Sequence, residues 1–282
     1  MDAPTVTDTP PTRTHDSILT PEMREGVIAI ARKAAGAILA VYESAFAVTH
    51  KDDRSPLTAA DLAAHHAIVD GLRELTPDVP VLSEESAHEV PAEMRRQWPR
   101  LWVVDPLDGT REFIKRNGEF TVNIALVEHG VATFGVVLAP VTGVTWHGGA
   151  AVGACRRSDE GERELRVRAP ATAPLRVAAS RSHRDARTEA FLAAMGPIEP
   201  IGLGSSLKFC LVAEGGLDVY PRFGPTSEWD TAAAQAVLEG AGGQVIDPAG
   251  RPFRYNQRET ILNGDFIAFG DPALPWRTWL AG

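Results

Sequence analysis

The run WVVDPLDGTREFIKRNGEFTVN, residues 102–123, passes from an apolar segment directly into two aspartates and a turn. The apolar residues before the first aspartate predict a buried strand. Asp105 and Asp108 are three positions apart, so the alternation of a regular strand would not place both carboxylates on one face. Pro106 and Gly109 are turn residues, and a sharp turn between the aspartates allows their carboxylates to converge.

Thr110 follows this turn and is a suitable first residue for a short helix. A helix N-terminus presents free backbone N–H groups and therefore favours a bound anion. Carboxylates beside an anion site would repel a phosphate group unless cations lay between them. The run therefore predicts a hard divalent metal, most simply Mg²⁺.

Each short part of this run also has an ordinary structural interpretation. An isolated Asp-x-x-Asp is typical of a capped turn, and an isolated Asp-Gly is typical of a plain turn. The full string DPLDGT after an apolar strand is more specific, and it resembles the metal-binding signature of the inositol monophosphatase superfamily. The longer run DPLDGTREFIKRNGEFTVNIAL is similar to one branch, the 3'(2'),5'-bisphosphate nucleotidases of the CysQ type.

The resemblance implies metal ligands in both halves of the chain. Glu84 is the first acid of a Glu-Glu pair after a predicted strand, and Asp230 belongs to a second signature, WDTAA. Without the resemblance, Asp230 is interpreted as an acid in the first turn of a helix, where it favours the helix dipole. The groups expected to hold two or three Mg²⁺ ions are the Leu107 carbonyl and the side chains of Glu84, Asp105, Asp108 and Asp230.

Asp61 and Thr110 resemble the pair that orients and deprotonates the attacking water in this superfamily. Taken alone, Asp61 also suits a capping role together with Thr58 at the start of a helix. His65 and His66 lack the spacing of a known metal motif and are interpreted as non-ligands. No covalent phosphoenzyme is expected, because the motif offers its carboxylates to metal.

The segment GLGSSLKFCLVAEG, residues 202–215, predicts a second anion site. Ser205 and Ser206 would lie at a helix N-terminus, and Lys208 would add a cation within the first turn. A plain capped helix is the alternative interpretation. The residues expected to contact substrate are Glu84, Leu107, Asp108, Gly109, Thr110, His183, Ser205, Ser206, Lys208, Arg222 and Asp230.

The composition is that of an ordinary globular protein of 282 residues, 44% hydrophobic and 23% charged. The formal net charge of −9 argues against binding a nucleic-acid polymer, which needs a basic surface. Cys155 and Cys210 are too few for a disulfide framework, so a reduced cytoplasmic protein is expected. No apolar run approaches the roughly 20 residues of a membrane span, and the N-terminal stretch predicts no secretory signal. The resemblance by itself also allows a peripheral position at the cytoplasmic face of the inner membrane.

The predicted elements divide the chain into a tail and two halves. Residues 1–20 are expected to be a flexible tail. Residues 21–170 form an N-terminal α+β half with most metal ligands. Residues 171–282 form a C-terminal α/β half with Asp230 and the substrate-recognition segments. The resemblance implies that these halves build a layered α-β-α-β-α sandwich.

In the first half, strands joined by short turns predict an antiparallel meander. The elements expected there are helices at 20–47 and 57–75 and strands at 79–83, 101–104, 119–128, 130–139, 144–149 and 165–169. Charged or polar residues at 89–100 and 156–164 predict surface segments. In the second half, strands at 175–179, 198–203, 217–220, 244–246 and 261–269 alternate with helices at 184–195, 205–214 and 228–241.

The resemblance implies hydrolysis of the 3'-phosphate of adenosine 3',5'-bisphosphate (PAP) to AMP and phosphate, and of PAPS to APS, in sulfur assimilation. It also implies inhibition by Li⁺. Within the same class, an inositol monophosphatase or a fructose-1,6-bisphosphatase is the alternative. A non-catalytic Mg²⁺-dependent nucleotide sensor is the alternative from a different class. The expected partner is a small phosphorylated nucleotide, and the sequence leaves a monomer and a homodimer open.

Overall fold

A computed structural model describes residues 18–44, 55–179 and 186–280, with the backbone alone for residues 55 and 56. The expected tail at residues 1–20 falls almost wholly outside these ranges. Thr20 is described, and its hydroxyl accepts a hydrogen bond from the Met23 N–H at 3.2 Å. Thr20 therefore caps the N-terminus of the helix that begins at Pro21.

The first sheet contains seven strands within the described ranges. Their bounds in chain order are β1 Val81–Ser83, β2 Arg100–Asp108, β3 Thr121–Glu128, β4 Val131–Ala139, β5 Val144–Gly149, β6 Gly153–Ser158 and β7 Gly161–Glu164. β1 is parallel to β2, and every later strand is antiparallel to the one before it. The predicted meander is confirmed, and it continues through residues 153–164. The polar sequence there predicted only an exposed segment, because backbone pairing of outer strands needs no apolar side chains.

The second sheet contains five strands in the described part of the chain, in the spatial order β11-β12-β10-β8-β9. Their bounds are β8 Leu175–Ala178, β9 Ile198–Ile201, β10 Val219–Arg222, β11 Gln244–Ile246 and β12 Phe266–Phe269. β8 is parallel to β9 and β10, whereas β12 is antiparallel to β10 and β11. The predicted mixed character of the second half is confirmed.

The strand predicted at residues 165–169 is wrong. The Leu165 N–H donates to the Ala154 carbonyl, whereas the Val167 N–H donates to the Ala241 carbonyl. This stretch therefore bridges two different elements and does not pair along one strand. Pro170 follows it and has no N–H with which to extend a ladder.

The helices cover the outer faces of the sheets and the space between them. Their bounds are α1 Pro21–Ser44, α2 Ser55–Leu75, α3 Ala92–Arg95, α4 Thr110–Lys115, α5 Ala186–Ala194, α6 Leu207–Ala213, α7 Ala232–Gly240 and α8 Trp276–Leu280. Short 3₁₀ helices span Glu84–Glu89 and Glu228–Asp230. Because α2 begins at Ser55, Asp61 lies in its second turn, and the capping interpretation of Asp61 is wrong.

The buried residues show five layers. Trp102 and Val104 of β2 pack with α1 and α2 on one face of the first sheet. Leu101 and Val103 point to the other face and pack with α6, α7 and the second sheet. The far face of the second sheet packs against α5 and α8. The predicted layered α-β-α-β-α sandwich is confirmed, while the boundary at residue 170 stays a prediction.

Two positions show how closely the layers approach. A Cβ atom on Gly135 of β4 would lie 2.1 Å from the Ala233 carbonyl oxygen. The close contact between α7 and the first sheet therefore requires a residue without a side chain at position 135. Arg95 lies in the segment 89–100, which was predicted to be at the surface, yet Arg95 is only 2% exposed. That prediction is wrong at Arg95, because its guanidinium is enclosed by a distant loop.

Candidate active site

The predicted turn between Asp105 and Asp108 is an irregularity at the end of β2. Asp105 is opposite Asn123 and Asp108 is opposite Thr121, with a register shift between the two pairs. The Asp105 Oδ1 atom accepts the Leu107 N–H at 3.0 Å, which closes the bend. Both aspartates thus emerge at the C-terminal end of β2, where the spacing and the turn residues predicted a bend.

Gly109 ends this bend with φ of 99° and immediately precedes α4. A Cβ atom at this position would lie 3.1 Å from the Glu119 carbonyl oxygen, so both the backbone conformation and the space favour glycine. Thr110 is the first residue of α4, as predicted, and its side chain is exposed. Leu107 is buried at 1% exposure in the core beside α1 and α2.

Asp230 reaches the same place from the 3₁₀ helix that precedes α7. Its Oδ2 atom accepts the Ser227 N–H at 2.8 Å, an N-terminal capping contact. One carboxylate oxygen from each of Asp105, Asp108 and Asp230 lies within 4.8 Å of the others. We call these residues the acidic cluster. The capping interpretation and the ligand interpretation of Asp230 are thus compatible, because its two carboxylate oxygens can serve separate partners.

Glu84 and Asp61 lie beside the acidic cluster. Glu84 starts the 3₁₀ helix after β1, and its carboxyl group shares a hydrogen bond with Asp105. Asp61 of α2 is half-buried and close enough to Glu85 and Glu84 for their charges to act on it. The residues predicted as acidic ligands and as a base are therefore brought together from α2, the 3₁₀ helix after β1, β2 and the 3₁₀ helix before α7.

The carboxyl groups of Asp61, Glu84, Asp105 and Asp230 hold protons more tightly than isolated ones. Burial raises the pKa of Asp105 well above its ordinary value, and the charge of Asp108 adds to the effect. Burial also raises the pKa of Asp230 and Asp61 to about 7 each, and it raises the pKa of Glu84. Like charges at this separation are stable together only when protons or cations compensate them. Several convergent carboxylate oxygens fit a hard divalent cation.

Ser206 is not free for the anion site that the sequence predicted, because its donors are already used. The Ser206 N–H and hydroxyl each donate to Asp108 Oδ2, at 2.7 and 2.9 Å. The helix α6 begins only at Leu207. Ser205 has φ of 46°, and its hydroxyl lies 3.1 Å from the Thr121 hydroxyl. Ser206 therefore positions Asp108, while Ser205 faces the open space beside it.

That open space is a cavity of about 540 Å³. The predicted site residues that line it are Asp108, Gly109, Ser205, Lys208, Arg222 and Asp230. Those that do not are Asp61, Glu84, Asp105, Leu107, Thr110 and Ser206. His183 lies outside the described residues, so its predicted contact stays a prediction.

Lys208 and Arg222 differ in how they meet the cavity. The Lys208 Nζ atom donates to the Ser205 carbonyl at 2.8 Å and lies 5.2 Å from the centre of the Tyr220 ring. Burial lowers the pKa of Lys208. Arg222 at the end of β10 is exposed, and its Nη2 atom donates to the Pro225 carbonyl at 3.2 Å. Lys208 is thus a desolvated cation of the cavity, and Arg222 is an exposed one.

Sequence reasoning missed two further cations, Arg111 and Lys115, which line the same cavity from α4. Their spacing of four residues places them on one helix face. This spacing, directly after Thr110, could have indicated two cations beside the predicted anion site. Tyr220 and Phe223 also line the cavity, and they were missed because aromatic residues near strand ends are typical of core packing.

Comparison with known proteins places this site in a family. A sequence model of the inositol monophosphatase family matches residues 20–269. The proteins named 3'(2'),5'-bisphosphate nucleotidase CysQ from Escherichia coli O157:H7 and from Escherichia coli strain K12 are each 53% identical over 248 residues. Each alignment covers 86% of this chain and 98% of the relative.

Solved structures agree with the sequence comparisons. The crystal structure of CysQ from Bacteroides thetaiotaomicron, a bacterial member of the same family, aligns with a TM-score of 0.80 at 44% identity. The alignment covers 90% of this chain and 99% of that chain. An inositol monophosphatase from Zymomonas mobilis aligns with a TM-score of 0.76 at 25% identity, covering 93% and 98%. Among the described residues, no helix has both the length and the apolar character that a membrane crossing needs.

Proposed function

The chain belongs to the inositol monophosphatase family of phosphatases, and we propose that it is a Mg²⁺-dependent 3'(2'),5'-bisphosphate nucleotidase. Its substrate is adenosine 3',5'-bisphosphate, which it converts to AMP and phosphate. PAPS, converted to APS, is a second substrate of the same kind, and the role is in sulfur assimilation. The observation that carries the proposal is a single cavity lined by both Asp108 and Asp230 of the acidic cluster and by Lys208 and Arg222.

The family is metal-dependent, and the acidic cluster has the oxygen donors that such a site needs. The groups proposed to hold two or three Mg²⁺ ions are the Leu107 carbonyl and the side chains of Glu84, Asp105, Asp108 and Asp230. When bound, Mg²⁺ lowers the pKa of a water molecule and stabilises negative charge on phosphoryl oxygens. Ser206 holds Asp108 in place through two donated hydrogen bonds, and Leu107 holds Asp105 through one.

Asp61 is proposed to accept the proton of the attacking water, with the Thr110 hydroxyl orienting it. Helices α2 and α4, which carry these residues, are neighbours in the fold. A general base works best when its pKa is near the operating pH, and the pKa of Asp61 is raised to about 7 in the metal-free protein. Gly109 and Thr110 are further proposed to contact the phosphate that is hydrolysed.

The second phosphate is proposed to bind at Lys208, Ser205 and Arg222, with His183 as a further contact. A cavity of about 540 Å³ is within the range of small-molecule sites and is large enough for a nucleotide. Lys208 is already desolvated, so an anionic partner there would meet less competition from water. This arrangement supports a substrate with two phosphates over a simple monophosphate.

The test is a phosphate-release panel with adenosine 3',5'-bisphosphate, PAPS, inositol 1-phosphate and fructose 1,6-bisphosphate, each with and without Mg²⁺. We expect the bisphosphate nucleotides to be hydrolysed fastest and only with Mg²⁺. Millimolar Li⁺ should inhibit this reaction, whereas K⁺ at the same concentration should not. Faster phosphate release from inositol 1-phosphate than from the nucleotides would contradict the proposed substrate. Binding of the nucleotide without any phosphate release would indicate a non-catalytic sensor.

A further inference from the structure

The turn that carries Asp230, residues 226–231, is enclosed by a distant segment of the chain. We call this segment the C-terminal loop, residues 252–263. It contains no helix or strand, and its only β-pairing is two isolated bridges, at Pro252 and Leu262. Despite this irregular backbone, the C-terminal loop contains buried polar residues, including Asn256 and Asn263 at 6% and 7% exposure. Buried amides are retained only where they have hydrogen-bond partners.

The partners of the C-terminal loop lie in the Asp230 turn. Glu228, which is fully buried, accepts the Asn256 backbone N–H at 2.7 Å and the Arg258 guanidinium at 3.0 Å. The Asn263 side chain donates to the Ser227 carbonyl at 2.7 Å and to the Thr231 hydroxyl at 3.0 Å. The turn is therefore held on both sides of Asp230 by one loop.

Arg95 of α3 holds the C-terminal loop from the opposite side. Its Nη1 atom donates to Asn256 Oδ1 at 3.1 Å, and its Nη2 atom donates to the carbonyls of Arg258 and Glu259 at 3.0 and 2.6 Å. The Asn256 side-chain amide donates back to the Arg95 carbonyl at 2.6 Å. A planar guanidinium suits these contacts, since its fixed fork reaches several acceptors that an ammonium group does not reach together.

We propose that Arg95 is a positioning residue for Asp230, acting through Asn256 and Glu228. This positioning role rests on the proposed function, in which Asp230 binds Mg²⁺. The path is continuous from the Arg95 guanidinium to Asn256, from the Asn256 N–H to Glu228, and along the 3₁₀ turn to Asp230. Metal ligands depend on groups that orient them, and loss of such a group typically weakens metal binding about 10- to 100-fold.

A matched control separates this role from general stability. Arg168 is another guanidinium that binds a buried carboxylate, and it donates to Asp218 Oδ1 and Oδ2 at 2.7 and 2.6 Å. Asp218 is fully buried and also accepts the Arg176 N–H at 2.7 Å, so this pair organises β8 and β10. Neither residue contacts the Asp230 turn. Replacing Arg168 should therefore lower stability without changing the metal site.

The experiment compares Arg95→Lys, Asn256→Gly and Arg168→Lys with the wild-type protein. Glycine keeps the φ of 54° that Asn256 adopts while it removes the amide. Calorimetric titration with MgCl₂ alone measures Kd, and thermal denaturation measures Tm with and without Mg²⁺. We expect Kd for Mg²⁺ to rise about tenfold in Arg95→Lys and in Asn256→Gly, and to stay at the wild-type value in Arg168→Lys.

The double variant Arg95→Lys/Asn256→Gly provides a second readout. If both residues act through one path, the double variant should bind Mg²⁺ with a Kd no higher than the higher Kd of the two single variants. Arg95 variants with a lower Tm but a wild-type Kd would overturn the positioning role and leave only a structural one. A wild-type protein that binds no Mg²⁺ would instead overturn the proposed function, and the inference with it.

Discussion

The candidate active site has two chemically opposite regions, and they are stabilised in different ways. In the acidic cluster, Asp105, Asp108 and Asp230 crowd their charges together, and burial raises the pKa of Asp105 and Asp230. The second region, which we call the cationic region, consists of Lys208 and Arg222. Each of these side chains donates a hydrogen bond to a backbone carbonyl oxygen. The acidic cluster thus concentrates negative charge, whereas each cation is bonded to a carbonyl oxygen that a ligand can replace. We propose that the first region carries the metal-dependent chemistry and that the second region selects the substrate.

The largest effect is expected from the acidic cluster. Asp108→Asn keeps an oxygen that can accept from Ser206, so the protein should fold, but it removes a carboxylate from the proposed metal site. We expect kcat for adenosine 3',5'-bisphosphate to fall about a thousandfold or more, because several kcal/mol of transition-state stabilisation depend on the metal. The control is Asp159→Asn, which removes an exposed acid elsewhere. Wild-type turnover of Asp108→Asn at saturating Mg²⁺ would refute the assignment.

The next effect belongs to the cationic region. Lys208→Ala should lower kcat/KM for adenosine 3',5'-bisphosphate at least about tenfold, since a charge-assisted contact contributes about 1.5–3 kcal/mol. The same variant should hydrolyse inositol 1-phosphate at nearly the wild-type rate, because this substrate has no second phosphate. An equal loss on both substrates would place Lys208 in the shared chemistry or in the structure.

A smaller effect should appear in the pH dependence of stability. The pKa of Asp61 and of Asp230 is raised from 3.8 to about 7 in the folded, metal-free protein. The folded state therefore binds more protons than the unfolded state, and its stability falls as pH rises from about 4 to about 7. Mg²⁺ competes with these protons, so it should raise Tm more at pH 8 than at pH 5. The same rise in Tm at both pH values would argue against metal binding at these carboxylates.

The smallest effect is expected at Arg222. Its side chain is exposed, so water and salt screen its attraction to a phosphate. Arg222→Ala should lower kcat/KM for adenosine 3',5'-bisphosphate about two- to fivefold, and added NaCl should shrink the difference. Comparison of this variant with Lys208→Ala shows whether desolvation decides which cation contributes more to substrate binding. A loss larger than that of Lys208→Ala would reverse this ranking.

The sequence was sufficient where a feature depends on neighbours along the chain. The apolar segment, Pro106 and Gly109 predicted the strand and its turn, and Thr110 predicted the short helix after them. Turn residues also predicted the meander of the first sheet. Local steric limits and backbone hydrogen bonding decide such features, so a few adjacent residues determine them. The same reasoning failed at residues 165–169, where the backbone partners come from two separate elements.

Only the packed structure decided how the site is assembled. Ser206, 98 positions after Asp108, donates its N–H to that carboxylate and is no longer free for an anion. Arg95 looked like a surface residue, yet it binds Asn256, 161 positions further along. Residues this far apart in sequence meet because five layers pack with their apolar faces buried, and no local pattern records which polar side chains are enclosed between them. The residue types of the site follow from the sequence, whereas their partners follow from the packing of the layers.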